Sequence, residues 1–144
     1  MTALAADTLV STERWSYRQF TLKAGQIAYK GGTALLKTAD GKVYTAVSGA
    51  GYSRLLGIFA EHKDASSAGP LGSVDQPVNV DLLKERTLLW RANDGTITAA
   101  NVGSDCYVSD DQTVSINSTN QSLAGVILAV STVYGVAFEV ENLV

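Results

Sequence analysis

The sequence predicts an all-β chain, a small β-barrel or β-sandwich of short strands, and three observations carry that prediction. Most segments alternate apolar and polar residues with period two or form short apolar runs. Gly, Asp, Asn and Ser bound those segments. Two runs, "RLLGIFAEH" at 54–62 and "SLAGVILAV" at 122–130, also resemble each other, which points to an internal pseudo-repeat.

Taken in order, residues 1–14 form an N-terminal arm of low complexity, and strands are expected at 15–22, 26–30, 33–38, 42–47 and 54–62. "KGGT" at 30–33 and "ADGK" at 39–42 are hairpin signals, because their residues tolerate positive φ between β-like runs. "HKDASSAGPLGSVDQP", residues 62–77, holds both prolines and has no periodicity, so it is the one long surface loop. It is expected to divide the chain into halves of about 15–62 and 77–144, joined by loop 63–76, within a single β-rich domain over 15–144. Strands follow at 77–82, 86–92, 96–99, 105–109, 113–116, 123–130 and 134–141, with "NDGT" at 93–96 as another hairpin signal. "VDLLKERTLLW" at 80–90 is the only helix candidate, and the alternation of Val78, Val80 and Leu82 favours two strands there instead.

Aligning Leu55 with Leu123 places Gly57 on Gly125 and Ile58 on Val126. "GQIAY" at 25–29 then matches "GSDCY" at 103–107, and "DGKV" at 40–43 matches "DQTV" at 111–114. The offsets of 78, 71 and 68 residues imply a second copy with shorter turns.

Composition narrows the function classes. Charged residues make up 17% of the chain, against roughly 25% in typical globular proteins, which implies a surface partly covered by a partner or by further copies. The low charge and the many edges of a short-stranded domain favour self-association into a closed ring. A net charge of −3 without a cluster of Lys and Arg removes the footprint of a nucleic-acid binder. No stretch approaches a membrane span, and no cleaved secretion signal is expected.

No catalytic, cofactor or metal site is expected. His62, the only histidine, ends an apolar strand, and its counterpart in the second copy is Val130. G-x-S-x-G is absent. "SGAGYSR" at 48–54 has Arg54 where a nucleotide loop has its third glycine. Asp105, Asp110 and Asp111 fit a polar turn better than a cation site. A lone Cys106 forms no internal bridge, and with one histidine it builds no ordinary zinc site. Asn117-Ser118-Thr119 and Asn120-Gln121-Ser122 match the glycosylation pattern but are expected to be loop composition. Arg14, Trp15, Tyr17 and Arg18 are residue types that dominate interface hot spots, and they are the candidate partner contacts. A core position for Trp15 and Tyr17 fits the pattern equally well.

The second half, "AANVGSDCYVSDDQTVSI" with "SLAGVILAV" and "VYGVAFEVEN", resembles the capsid decoration or cement proteins of tailed bacteriophages. The first half carries "AGQIAY", "YTAV" and "RLLGIFAE" in corresponding places. The resemblance covers residues 25–141, and Gly25, Gly57, Gly103 and Gly125 transfer as architecture only. It implies a non-enzymatic virion protein, made in the host bacterial cytoplasm, that sits on the outer surface of the expanded capsid. There it would tie neighbouring major capsid proteins together, most simply as a homotrimer and next as a dimer. The alternative from another class is a small β-barrel that binds a ligand or glycan, with Trp15, Trp90 and tyrosines stacking on sugar rings.

Overall fold

The computed structural model describes residues 17–83, 87–119 and 121–141. The expected arm over 1–14 lies outside the described residues. The chain is all-β, as predicted, and resolves into two closed five-stranded barrels. The first contains β1 (Tyr17–Leu22), β3 (Thr33–Lys37), β4 (Val43–Thr45), β5 (Tyr52–Phe59) and β7 (Gln76–Asp81), in the order β1-β4-β3-β5-β7. A small ladder of β2 (Ile27–Ala28) with β6 (Lys63–Asp64) lies beside it. The second contains β8 (Leu88–Asn93), β9 (Asp105–Asp110), β10 (Thr113–Ser115), β11 (Ser122–Ser131) and β12 (Gly135–Val140). The favoured strand reading of 80–90 agrees with β7 and β8, and its central residues 84–86 lie outside the described set.

The barrels are two copies of one unit, matched ladder by ladder. β1 runs parallel to β4 with Leu22 opposite Val43, and β8 runs parallel to β10 with Asn93 opposite Val114. Ala34 faces Gly57 as Cys106 faces Gly125. Ile58 faces Asp81 as Val126 faces Glu139, and Phe20 faces Val78 as Arg91 faces Val136. Two of the sequence matches therefore hold, Val43 with Val114 and Gly57 with Gly125.

The third match slips. The Gly103 N–H donates to the Ile127 carbonyl at 2.8 Å, and in the first barrel the same bond runs from Gly31 to Phe59 at 2.8 Å. The counterpart of Gly103 is thus Gly31, and both have positive φ. "GQIAY" matched "GSDCY" in letters, but its residues form β2, which stands outside the barrel.

Other expectations are corrected by long-range pairing. Loop 63–76 does not divide the halves, because β7 pairs with β1 along its full length and closes the first barrel. The division falls between β7 and β8. The loop is instead a strap on the first barrel: Ala65 is fully buried in that barrel's core, the Gly25 N–H donates to its carbonyl, and Lys42 Nζ meets Asp75 at 2.6 Å. "ADGK" joins a true hairpin of β3 and β4, whereas "KGGT" links β2 to β3, which do not pair. Residues 96–99 form no strand, and "NDGT" joins no hairpin. Asn93 Oδ1 accepts from the Gly95 and Ile97 N–H groups and Asp94 Oδ1 from Thr96, so side chains satisfy this backbone locally before a 3₁₀ turn at Ala99–Asn101. Closure into barrels also leaves the two main sheets without open edges, so these sheets offer no edge for the self-association expected from the short strands.

Closure depends on two glycines. A Cβ on Gly57 would stand 2.1 Å from the Asp81 carbonyl oxygen, and one on Gly125 would stand 2.0 Å from that of Glu139. Each lies where β5 or β11 meets the strand that shuts its barrel. Gly57→Ala and Gly125→Ala are expected to cost on the order of 1–3 kcal/mol each, since backbone must move to admit a methyl group. Urea unfolding checks this, and a change under about 0.5 kcal/mol in either variant would contradict the close approach.

The strap brings its own pH dependence. The Lys42 ammonium and then the Ala24 N–H hold the Asp75 carboxyl below its ordinary value. Asp40 is lowered by the Lys42 N–H and the Tyr44 hydroxyl, and Asp64 by the Ser66 hydroxyl and N–H. A carboxyl whose folded value is depressed stabilises the fold fully above its unfolded value, and that contribution disappears as pH falls through the folded one. The melting temperature is therefore expected to fall on acidification from about pH 4 downward. Asp75→Asn should flatten part of that slope while lowering stability at neutral pH; an unchanged slope would show that the strap bears no pH-linked load.

Candidate functional site

Among the described residues, the groups singled out in the sequence lie apart from one another. Arg14 and Trp15 lie outside the described residues. Tyr17 opens β1, and Arg18 is exposed beside it, in register with Val80. His62 does not end the strand, since β5 stops at Phe59; it is exposed, with its ring 5.4 Å from that of Tyr29 in a tilted contact. Cys106 is fully buried, and burial pushes its thiol up to about 12. Asp110 Oδ1 accepts from the Gln112 N–H, so the "SDDQ" turn is held by its own side chain. Asn117 Oδ1 likewise accepts from the Thr119 N–H. No group of three metal-ligating side chains occurs among the described residues.

Two features stand out instead, a seam and a groove. The seam joins the barrels. Leu35, Ala46 and Leu55 of the first barrel belong to one buried cluster with Val108, Ile127, Phe138 and other core residues of the second. The repeat makes this informative, because the counterparts of Leu35 and Leu55 are Tyr107 and Leu123, which are only half-buried. Backbone bonds reinforce the contact: the Thr33 N–H donates to the Asp111 carbonyl at 2.8 Å, and Val47 bridges to Asp110. Arg91 Nη2 donates to the Gly31 carbonyl at 2.6 Å across a cleft of about 470 Å³. Burial lowers the Arg91 guanidinium from its ordinary value and Asp111 opposes that shift. Gly32 belongs to the seam as well, since a Cβ there would stand 3.3 Å from Asp111 Oδ2.

The groove lies on the second barrel and encloses about 920 Å³. Trp90 to Asn93 of β8, then Gly95, Ile97, Thr98 and Ala99, and the turn from β11 to β12 line it. Trp90 and Tyr134 meet edge to face at 5.9 Å. The Ser131 hydroxyl oxygen accepts from the Val133 and Tyr134 N–H groups at 3.1 Å, which fixes the turn that carries Tyr134. Arg91 and Gln112 line both the groove and the seam cleft, so the two features adjoin.

The chain matches no protein-family profile, no curated protein and no solved structure. Geometry and sequence pattern are what speak for function.

Sequence reasoning missed the seam because Leu35 and Leu55 look like ordinary strand residues. Their counterparts Tyr107 and Leu123 were the available signal once the repeat was in register. For Cys106 the expected outcome is chemical silence: a thiol reagent should label it only as the protein unfolds, following the urea transition. Stoichiometric labelling in buffer at neutral pH would contradict its burial.

Proposed function

We propose that this chain is a structural protein of the virion that binds the outer surface of an expanded tailed-phage capsid and bridges neighbouring major capsid proteins, without catalysis. The observation that carries the reading is the duplication itself: two barrels of one topology, coupled through a shared core. A clamp needs two contact units held at a fixed separation, and a covalent pair of barrels supplies that within one chain. Of the motifs that carry the resemblance to decoration proteins, "RLLGIFAE" and "SLAGVILAV" fall on equivalent strands of the two copies, whereas "AGQIAY" does not.

Further support comes from the surface. Tyr29, Val47, Leu71, Val74 and Val102 are exposed apolar residues, and a chain with few charges can bury such groups against a partner without stripping water from ions. The barrels offer no open edges, so self-association would run through side-chain faces. A trimer remains the first choice and a dimer the second.

Multiple contacts made by one assembly raise avidity by about 10² to 10⁴ over a single contact. The protein is therefore expected to cosediment with expanded, undecorated capsids and to bind isolated major capsid protein in the micromolar range or weaker. Removing residues 1–14, or changing Arg18→Ala, should weaken capsid binding without changing the melting temperature. Equal binding to isolated subunits and intact capsids would contradict the clamp, and light scattering of the free protein tests the trimer.

A further inference from the structure

We propose that the groove on the second barrel is a binding site for a neutral oligosaccharide, whose sugar rings stack on Trp90 and Tyr134. The inference stands apart from the capsid reading and draws on a different surface.

The repeat acts as an internal control. The counterpart of Trp90 in the first barrel is Gln19, and those of Val133 and Tyr134 are Asp75 and Gln76. Asp75 is tied to Lys42, and the buried Gln76 donates from Nε2 to the Asp64 carbonyl at 3.0 Å. The same fold thus fills these positions with polar groups, an exposed Gln19 and two residues, Asp75 and Gln76, that serve its own strap. Aromatic rings at the second set are not a requirement of the barrel, yet Trp90 is 40% exposed and Tyr134 71% exposed.

Their geometry leaves ring surface available. An edge-to-face pair occupies one face of one ring only, and both exposures are far above those of core aromatics. The axial C–H bonds of a pyranose carry slight positive charge and pack against the negative face of such a ring. At its edges the sugar presents hydroxyls, each of which needs a neighbouring donor or acceptor.

The remaining lining supplies those groups and little net charge. Among the described residues, no Asp or Glu lines the groove, and Arg91, the one cation in its lining, has Nη2 engaged with the Gly31 carbonyl. The exposed Gln112 side-chain amide has no hydrogen-bond partner among the described residues and offers both donor and acceptor. The Ser131 hydroxyl already accepts from two N–H groups, which leaves its proton to donate. Thr132 adds an exposed hydroxyl on the same turn. A cationic ligand would find no carboxylate here, and Arg91, the one charge in the lining, already has Nη2 committed to the seam. At about 920 Å³ the groove falls within the range of roughly 300–1,000 Å³ usual for ligand clefts.

The test is titration of the intact protein with maltohexaose, cellohexaose and the hexamer of N-acetylglucosamine, followed by calorimetry in parent and variants and, where Trp90 is present, at its indole N–H resonance. At least one sugar is expected to saturate the shift with a dissociation constant in the millimolar range or tighter. Trp90→Ala and Tyr134→Ala should each weaken that binding at least about tenfold, and the exposed Tyr134 can be removed without unfolding the chain. Gln112→Ala should weaken it less. The proposal is overturned if none of the three sugars shifts the resonance at about 10 mM, or if both aromatic variants bind as the parent does. It is equally overturned if those variants lose capsid cosedimentation while the parent ignores every sugar, since the groove would then be a protein contact. Sugar binding with capsid cosedimentation absent would support the groove and reject the clamp.

Discussion

Closing a sheet after only five strands forces tight curvature, and the structure depends on how two backbones approach each other where the sheet shuts. Gly57 against the Asp81 carbonyl and Gly125 against that of Glu139 are those points. Because no Cβ stands between them, β7 can bond β5 on one side and β1 on the other, and β12 can do the same with β11 and β8. Closure then sets everything downstream. It satisfies the outer strands' backbone groups, confines each interior to residues such as Ala34, Val43 and Val80 or Cys106, Val114 and Phe138, and removes open edges as interaction surfaces. Function is left to side chains and turns.

The two copies spend that freedom differently. Between β5 and β7 the first barrel inserts a strap that carries β6, a buried Ala65 and the Lys42–Asp75 ion pair. Between β11 and β12 the second has only a short turn, held by the Ser131 hydroxyl. Where the strap seals the first barrel with polar bonds, the short turn leaves Trp90 and Tyr134 flanking a groove. The outer faces diverge in the opposite sense. Leu35 and Leu55 of the first barrel are buried in the seam, whereas Tyr107 and Leu123 of the second are partly open to solvent. The first barrel is covered on the side where the second is available.

Much of this was legible in the sequence because it is local. Period-two alternation located most strands, and the apolar run with its central glycine located the strand at each closure. What escaped was non-local. "QPVNVD" reads as an independent strand after a long loop, and nothing in it says that it closes backwards onto Tyr17–Leu22. The letters of "GQIAY" fit "GSDCY" better than those of "KGGTAL", yet hydrogen bonding to Phe59 and Ile127 equates Gly31 with Gly103. "NDGT" carries hairpin residues but feeds a loop whose purpose is to drop Ile97 into the core, where it is 3% exposed. Of the site, Trp90 was named as a stacking residue, while its pairing with Tyr134 depended on a turn whose geometry the spacing did not reveal.

Duplication also lets the two copies of one unit carry different surfaces, a seam on the first and a groove on the second, which meet at Arg91 and Gln112. A single barrel must use the same faces for folding, assembly and ligand contact, and a substitution that serves one of these burdens the others. Here the seam covers one flank of the first barrel with apolar side chains and four backbone-centred contacts, at Gly31, Thr33, Val47 and Ser48. At the Trp90–Tyr134 end of the second barrel the aromatic rings are exposed and add little to the core. The arrangement has a physical cost in solubility, since apolar rings near a surface with few charges invite nonspecific association. The first barrel, with Gln19 and Gln76 at the equivalent positions, shows that the fold itself does not require this cost, so the exposed Trp90 and Tyr134 are the feature of the second barrel that folding leaves unexplained.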